Sequence, residues 1–109
     1  MNKKIITWIF ILVTIAIIVL IFTLKNGDAD EQTAKCIGEK ATLYVSTTCP
    51  HCASQKDMFG ENLKYITLVN CNINPEKCQD IMYVPSWEIN GKITTGVKSI
   101  EKLKEEIGC

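Results

Sequence analysis

The chain has 109 residues, enough for one small domain, and its 12 basic residues balance its 12 acidic ones. Beyond residue 24 there are 10 lysines and 12 acidic residues, without a basic cluster or an aromatic platform. Nucleic acid is therefore excluded as a sensible partner, because binding to phosphates requires clustered positive charge.

Residues 5–24 form an apolar segment of 20 residues without a charge, and 17 of them are apolar. A helix of this length spans about 30 Å, the thickness of the hydrocarbon core of a bilayer. A buried core helix is disfavoured because no polar face interrupts the run. We predict a transmembrane anchor. A cleaved signal peptide is the alternative, since Gly27-Asp28-Ala29 offers a small-x-small site, but the run exceeds the usual ~7–15 residues.

Lysines on either side of this segment predict its orientation. Lys3 and Lys4 precede it, whereas Lys25 and the more distant Lys35 follow it. Basic residues that flank a membrane span usually lie on its cytoplasmic side. This rule predicts a single-pass anchor in the cell membrane, with the N-terminus in the cytoplasm and the remaining chain on the extracytoplasmic side. The six cysteines agree with an oxidising compartment, because all of them follow the span in a small domain: Cys36, Cys49, Cys52, Cys71, Cys78 and Cys109.

Composition divides the chain into three parts. Residues 1–24 are predicted to be the cytoplasmic tip and the anchor. Residues 25–37 are predicted to be a flexible linker, because the stretch 25–35 is polar and has no hydrophobic period. Residues 38–109 are predicted to form the folded domain.

The folded part begins with a β-prone run at 41–46, followed by Pro50, which suits the first position of a helix extending through residues 52–63. A second strand at 65–70 is expected to be parallel to the first, since a crossover helix joins them. Pro75 then opens a short helix at 75–81.

Two β-prone runs, 86–89 and 92–95, flank Asn90-Gly91, a strong signal for a hairpin. Ser99 can cap a last helix that ends at Gly108. The order β-α-β-α-β-β-α predicts an α/β fold with one mixed sheet and helices able to cover both faces.

Cys49-Pro50-His51-Cys52 lies where a strand is followed by a helix. A thiolate at a helix N-terminus faces unpaired backbone N–H groups and the positive end of the helix dipole, so the thiolate of Cys49 is favoured over the thiol. Cys52 lies one turn further on and can close a disulfide with Cys49. His51 can add a positive or hydrogen-bonding group, although an ordinary exposed histidine is the alternative.

This motif, followed by Val84-Pro85-Ser86, a hairpin and a last helix, resembles the thioredoxin superfamily. The resemblance is closest to the thioredoxin-like domains fused to, or partnered with, bacterial and archaeal homologues of vitamin K epoxide reductase. The active-site sequence Cys-Pro-His-Cys is the same as in the periplasmic oxidant DsbA. It covers about residues 38–108 and includes Trp87-Glu88-Ile89-Asn90-Gly91 and the Gly-Val-x-Ser approach to the final helix. It implies a cis bond at Pro85 and a substrate groove at Val84 and Pro85; a trans turn proline is the alternative.

The resemblance implies a thiol–disulfide oxidoreductase that uses Cys49, Cys52, His51 and Pro50 and acts on protein thiols or disulfides. Reoxidation by a quinone-linked membrane partner, similar to vitamin K epoxide reductase or DsbB, is also implied. An anchored reductase or electron relay, as in cytochrome maturation, is the alternative enzyme. A disulfide-stapled binding or metal-carrying domain is the non-enzymatic alternative. No cofactor is expected.

Two positions depart from the thioredoxin pattern. Leu43 occupies the place of the buried acid six residues before the first cysteine, so protons must reach Cys52 by another group or by water. Thr48 occupies the place of a tryptophan, which changes the surface around the nucleophile.

The remaining cysteines leave alternatives open. Cys71 and Cys78 either staple a turn or form a second redox pair. Cys36 and Cys109 either clip the two ends of the domain together, pair with another molecule or stay free. Zinc is not expected, because no second closely spaced cysteine pair exists. Covalent haem is excluded because Ala53, not histidine, follows Cys52.

Overall fold

The computed structural model describes residues 1–24 and 29–109. Its helices and strands, in chain order, are α1 (Lys3–Leu24), α2 (Glu31–Lys40), β1 (Ala41–Val45), α3 (Pro50–Asp57), β2 (Thr67–Asn70), β3 (Ser86–Ile89), β4 (Lys92–Thr95) and α4 (Ile100–Ile107). Short 3-10 helices lie at Gly60–Tyr65 and Pro75–Lys77.

The strands form one mixed sheet in the order β2-β1-β3-β4. The central strand β1 is parallel to β2 and antiparallel to β3, and β3 is antiparallel to β4. Asn90 and Gly91 both have positive φ, 53° and 78°, as a two-residue turn between twisted antiparallel strands requires. The predicted α/β fold with a mixed sheet and hairpin is confirmed.

The hydrophobic core lies on one face of the sheet. Alternate residues of β1 and β3 contribute Leu43 and Trp87, which are register partners and fully buried. Buried residues of α2, α3 and α4 belong to the same core: Ala34, Ile37, Cys52, Leu103 and Ile107. In the described part of the domain, all three helices contribute buried residues to this one core.

Helix α2 corrects the prediction of a flexible linker at 25–37. Residues 25–28 lie outside the described part, but Glu31 begins a helix that runs to Lys40. The Asp30 side chain accepts a hydrogen bond from the Thr33 N–H at 2.7 Å and caps it. Only three residues of α2 are buried, two of them small, so its apolar face is too narrow to stand out in the sequence.

Gly38 allows α2 to approach the chain segment before β2. A Cβ atom at this position would lie 1.8 Å from the carbonyl oxygen of Tyr65, which is backbone and cannot swing away. The Gly38 carbonyl in turn accepts a hydrogen bond from the Thr67 hydroxyl at 2.7 Å. This close approach packs α2 against the 3-10 helix Gly60–Tyr65, just before β2.

Two other helices differ from prediction and one agrees. The helix expected through residue 63 ends at Asp57, before Gly60 adopts φ 51° and a 3-10 turn begins. The helix expected at 75–81 is a single 3-10 turn, Pro75–Lys77. Helix α4 is capped by Ser99 and ends at Gly108 with φ 85°, as predicted.

Helix α1 has 22 residues, a length of about 33 Å at 1.5 Å per residue. It is long and apolar enough to cross a membrane, and its apolar window is unburied. The side of the membrane and the orientation stay predictions.

Candidate active site

Cys49 is the N-cap residue of α3, with extended backbone angles of φ −125° and ψ 104°. Its carbonyl accepts the first helical hydrogen bond, from the Ala53 N–H at 3.1 Å, and Pro50 occupies the first turn, where its missing N–H has no cost. The Cys52 N–H donates to Cys49 Sγ at 3.1 Å. Cys49 sulfur therefore takes the place that a serine or aspartate oxygen holds in an ordinary N-cap.

Cys49 and Cys52 form a disulfide, with their Cα atoms 5.1 Å apart. The two residues differ in exposure: Cys49 is half-buried, whereas Cys52 is 1% exposed and belongs to the core. An incoming thiolate can therefore approach Cys49 more readily than Cys52. His51 and Pro50 are exposed on the same helical turn.

The predicted groove residues lie directly beside this disulfide. The Val84–Pro85 peptide bond is cis, and the Val84 carbonyl oxygen lies 3.8 Å from Cys49 Sγ. In the disulfide form this is a contact, because Sγ carries no hydrogen; a Cys49 thiol could donate to the same oxygen. The Gly96 N–H donates to the Pro85 carbonyl at 2.8 Å and ties this segment to the chain beyond β4.

Gln55 is a site residue that the sequence analysis missed. It lies on α3 one turn beyond Cys52 and is fully buried. Its Oε1 accepts from Trp87 Nε1 at 3.0 Å and from the Lys98 N–H at 2.7 Å. Its Nε2 donates to the Lys98 carbonyl at 3.0 Å. A single side chain thus fastens the helix of the cysteine pair to β3 and to the segment before α4.

The core around Cys52 is apolar where thioredoxins place an acid. Leu43 fills that position and is fully buried. Lys98, whose backbone is hydrogen-bonded to Gln55, forms an ion pair with Glu106, its Nζ lying 2.7 Å and 3.0 Å from the two carboxylate oxygens. The hydrogen bond from Lys98 lowers the pKa of Glu106, because it stabilises the carboxylate.

The other four cysteines are also paired. Cys71 is bonded to Cys78, with Cα atoms 5.7 Å apart, and Cys36 to Cys109, with Cα atoms 6.0 Å apart. These are two of the pairings considered above; a structural or a redox role for Cys71–Cys78 stays a prediction. Within residues 1–24 and 29–109, no group of three or more histidine, cysteine or acidic side chains is arranged to hold a metal ion.

Comparison with known proteins gives a similarity to a thiol-disulfide oxidoreductase. No family model matches the chain. The chain is similar to thiol-disulfide oxidoreductase LTO1 of Arabidopsis thaliana, with 34% identity over an alignment of 79 residues that covers 62% of this chain and 21% of LTO1. The chain thus spans about a fifth of that relative's length. The similarity supports a distant relationship to a thiol–disulfide oxidoreductase.

Proposed function

We propose that the chain is a membrane-anchored, extracytoplasmic thiol–disulfide oxidoreductase that exchanges disulfides with protein thiols through Cys49 and Cys52. The observation that carries this proposal is the accessible Cys49 at the start of α3, bonded to the buried Cys52 and accepting the Cys52 N–H at 3.1 Å. The similarity to a thiol-disulfide oxidoreductase points in the same direction.

The exchange takes place in two steps. A substrate thiolate attacks Cys49 Sγ, the Cys49–Cys52 bond breaks, and Cys52 leaves as a thiolate that takes up a proton. A second substrate thiolate then attacks the substrate sulfur of the mixed disulfide and releases Cys49 as a thiolate. The substrate has lost two electrons as a new disulfide, and the cysteine pair has gained them.

The surroundings of Cys49 favour its role as the sulfur that is attacked and later released. The Cys52 N–H and the positive end of α3 stabilise negative charge on Cys49 Sγ when the mixed disulfide is resolved. Cys52 is enclosed by the core, which keeps external thiols away from it. Because the reduced form gains from this stabilisation, the disulfide becomes a stronger oxidant, about 30 mV for each 1.4 kcal/mol.

The proposed direction of electron flow is therefore from exported proteins into Cys49–Cys52. A quinone-linked membrane partner, similar to vitamin K epoxide reductase or DsbB, would then reoxidise the pair. Helix α1 would hold the domain at the membrane where such a partner resides, with Lys3 and Lys4 on the cytoplasmic side.

The first test is the reduction potential of the full chain in detergent, equilibrated in glutathione buffers. Stabilisation of the Cys49 thiolate predicts a value between about −120 and −200 mV, the range of DsbA and protein disulfide isomerase. A value near about −270 mV, as in thioredoxin, would contradict the oxidant direction and indicate an anchored reductase.

Matched cysteine variants test the chemistry itself. Cys49→Ser should abolish exchange with reduced substrate proteins. Cys52→Ser cannot oxidise them, since it has no disulfide, but its Cys49 thiolate should attack a disulfide of an oxidised substrate protein and accumulate as the mixed disulfide, because the Cys52 thiolate that would displace the substrate is missing. Mass spectrometry after alkylation detects the trapped species. Full exchange by the Cys49→Ser variant would overturn the assignment.

A further inference from the structure

We propose that Asn72 is a positioning residue for the reactive cysteine. Its side chain holds the turn before α3, so that the Cys49 thiolate keeps its place at the helix N-terminus after the disulfide is reduced. This inference rests on the proposed disulfide exchange. It names a residue outside the Cys49–Cys52 motif that raises the oxidising strength of the pair.

The turn that leads to Cys49 and the loop that carries Asn72 meet because two parallel strands end together. Val45, the last residue of β1, is the register partner of Asn70, the last residue of β2. The chain continues from β1 through a turn at 47–48 to Cys49, and from β2 directly to Asn72. Parallel strands have their carboxyl ends at the same edge of a sheet, so the loop after β2 lies beside the active-site turn.

The side chain of Asn72 bonds to the backbone of this turn. Asn72 Oδ1 accepts a hydrogen bond from the Thr47 N–H at 2.8 Å, and Thr47 lies two residues before Cys49. A second contact comes from Asn70 Nδ2, which lies 3.4 Å from Thr47 Oγ1. Thr47 and Thr48 are both exposed, so packing in the core contributes little to holding the turn. The bond to Asn72 therefore carries more of that task.

Asn72 is itself held by its neighbours. Its own N–H donates to Asn70 Oδ1 at 2.9 Å, and the Cys71 N–H donates to the Val45 carbonyl at 2.8 Å. The Cys71–Cys78 disulfide closes the loop on which Asn72 lies. An acceptor that is fixed in advance loses little conformational entropy when it binds the turn, so the bond can contribute most of its strength.

The turn matters more in the reduced form than in the disulfide form. In the disulfide form the covalent bond to Cys52 keeps Cys49 in place. After reduction, Cys49 remains the N-cap only while its backbone keeps the extended angles of a cap residue. In that position its thiolate can accept the Cys52 N–H, as Cys49 Sγ does at 3.1 Å, and faces the positive end of α3. Holding the turn therefore stabilises the reduced form selectively and makes the disulfide a stronger oxidant.

The experiment compares the full chain in detergent with its Asn72→Ala variant, each equilibrated with reduced and oxidised glutathione. In this equilibrium two glutathione thiols form one glutathione disulfide, and the cysteine pair takes up the two electrons and two protons. Alkylation and mass spectrometry read the state of Cys49–Cys52 alone. We expect the variant to shift about threefold toward the Cys49–Cys52 disulfide, the order of effect that loss of one hydrogen bond gives.

A second measurement follows the Cys49 thiolate directly. In the reduced variant, the midpoint of the rise in thiolate ultraviolet absorbance with pH should move upward by about half a pH unit, which corresponds to the same threefold change. Guanidinium unfolding of the oxidised variant should change little, because the bond to Cys52 still holds Cys49 in that form. A merely structural role of Asn72 would lower the stability and leave the absorbance midpoint in place.

Asn74→Ala is the matched control, because Asn74 is the same residue type on the same loop. Within residues 29–109, its side chain makes no capping hydrogen bond to the 3-10 helix that follows it. This variant should keep both the equilibrium and the midpoint. An unchanged equilibrium in Asn72→Ala, a shift toward the reduced pair, or an equal shift in Asn74→Ala would overturn the positioning role alone. Failure of the unmodified chain to exchange with glutathione would overturn the proposed function and the positioning role together.

Discussion

The Cys49–Cys52 and Cys36–Cys109 disulfides use the same bond in opposite settings. Cys49 caps the N-terminus of α3, where N–H groups face its sulfur. Cys109 follows Gly108 at the C-terminus of α4, and its own N–H donates to the Lys104 carbonyl at 3.0 Å. A helix N-terminus stabilises a thiolate, whereas the negative C-terminal end disfavours it. We therefore expect the first disulfide to be easier to reduce than the second.

The two disulfides also differ in the length of chain that they close. Cys36 and Cys109 are 73 residues apart in sequence, whereas Cys49 and Cys52 are three apart. Restricting the unfolded chain is worth about 4 kcal/mol for the long loop and only about 2 kcal/mol for the short one. One disulfide is thus suited to holding the fold together, and the other to reacting.

The largest expected effect comes from removing the Cys36–Cys109 disulfide, the one suited to holding the fold together. The Cys36→Ala/Cys109→Ala variant should lose about 4 kcal/mol of unfolding free energy, because the unfolded chain regains its freedom. Its rate of exchange with glutathione should stay unchanged at a temperature where it is folded. Guanidinium unfolding followed by Trp87 fluorescence in a Trp8→Phe background measures the stability. A parallel loss of exchange rate in the folded variant would contradict the division of roles.

The second prediction concerns Gln55, whose side chain joins the helix of the reactive cysteine pair to Trp87 in the core. Gln55→Leu should lower the unfolding free energy by about 2–3 kcal/mol, because Trp87 Nε1 and both backbone groups of Lys98 lose their buried partner. It should also shift the reduction potential, since α3 is no longer fastened to β3. Ser54→Ala, at an exposed position of the same helix, is the control. An unchanged potential in a destabilised Gln55→Leu variant would limit Gln55 to a structural role.

The smallest expected effect lies on the sheet face away from the main core. The Tyr44 hydroxyl donates to Glu88 Oε2 at 2.6 Å, and this hydrogen bond raises the pKa of Tyr44 to about 12. A raised pKa means that the stability from this bond is complete below the ordinary value of about 10 and is lost as the pH rises toward 12. Spectrophotometric titration should show one tyrosine that ionises late, and Tyr44→Phe should remove that step. Persistence of the late step in Tyr44→Phe would assign it to another tyrosine.

The elements that could be predicted from the sequence are those with local causes. Asn90-Gly91 produces the hairpin because its turn needs positive φ at both residues. Ser99 and Gly108 set the two ends of α4 by capping. Cys49 was expected at a helix start because a strand-forming run and Pro50 surround it, and the structure has it as the N-cap of α3.

What could not be predicted depends on distant partners. A glutamine side chain is usually exposed to solvent, so the sequence does not indicate that Gln55 is buried. Its burial depends on hydrogen bonds to Trp87 and Lys98, which are 32 and 43 residues away. Helix α2 shows only a weak hydrophobic pattern, because glycine occupies buried position 38 where a larger apolar residue would mark the buried face. Glycine is needed there because the Tyr65 backbone lies too close for a side chain. Asp30 before Glu31 is a capping signal, but the helix that follows is short and polar and has no apolar stripe, so the sequence alone does not predict it.

The early start of the packed domain has a consequence for where the cysteine pair can work. Ala29 is already held by the domain, through its N–H to the Met58 carbonyl at 3.1 Å and its carbonyl to Asn62 Nδ2 at 3.0 Å. Only residues 25–28 separate it from the end of α1 at Leu24. At ~3.4 Å per residue, this stretch reaches at most about 17 Å. With α1 in the bilayer as proposed, the start of the domain stays within this distance of the membrane. The cysteine pair can therefore react only with cysteines that are presented close to the lipid surface.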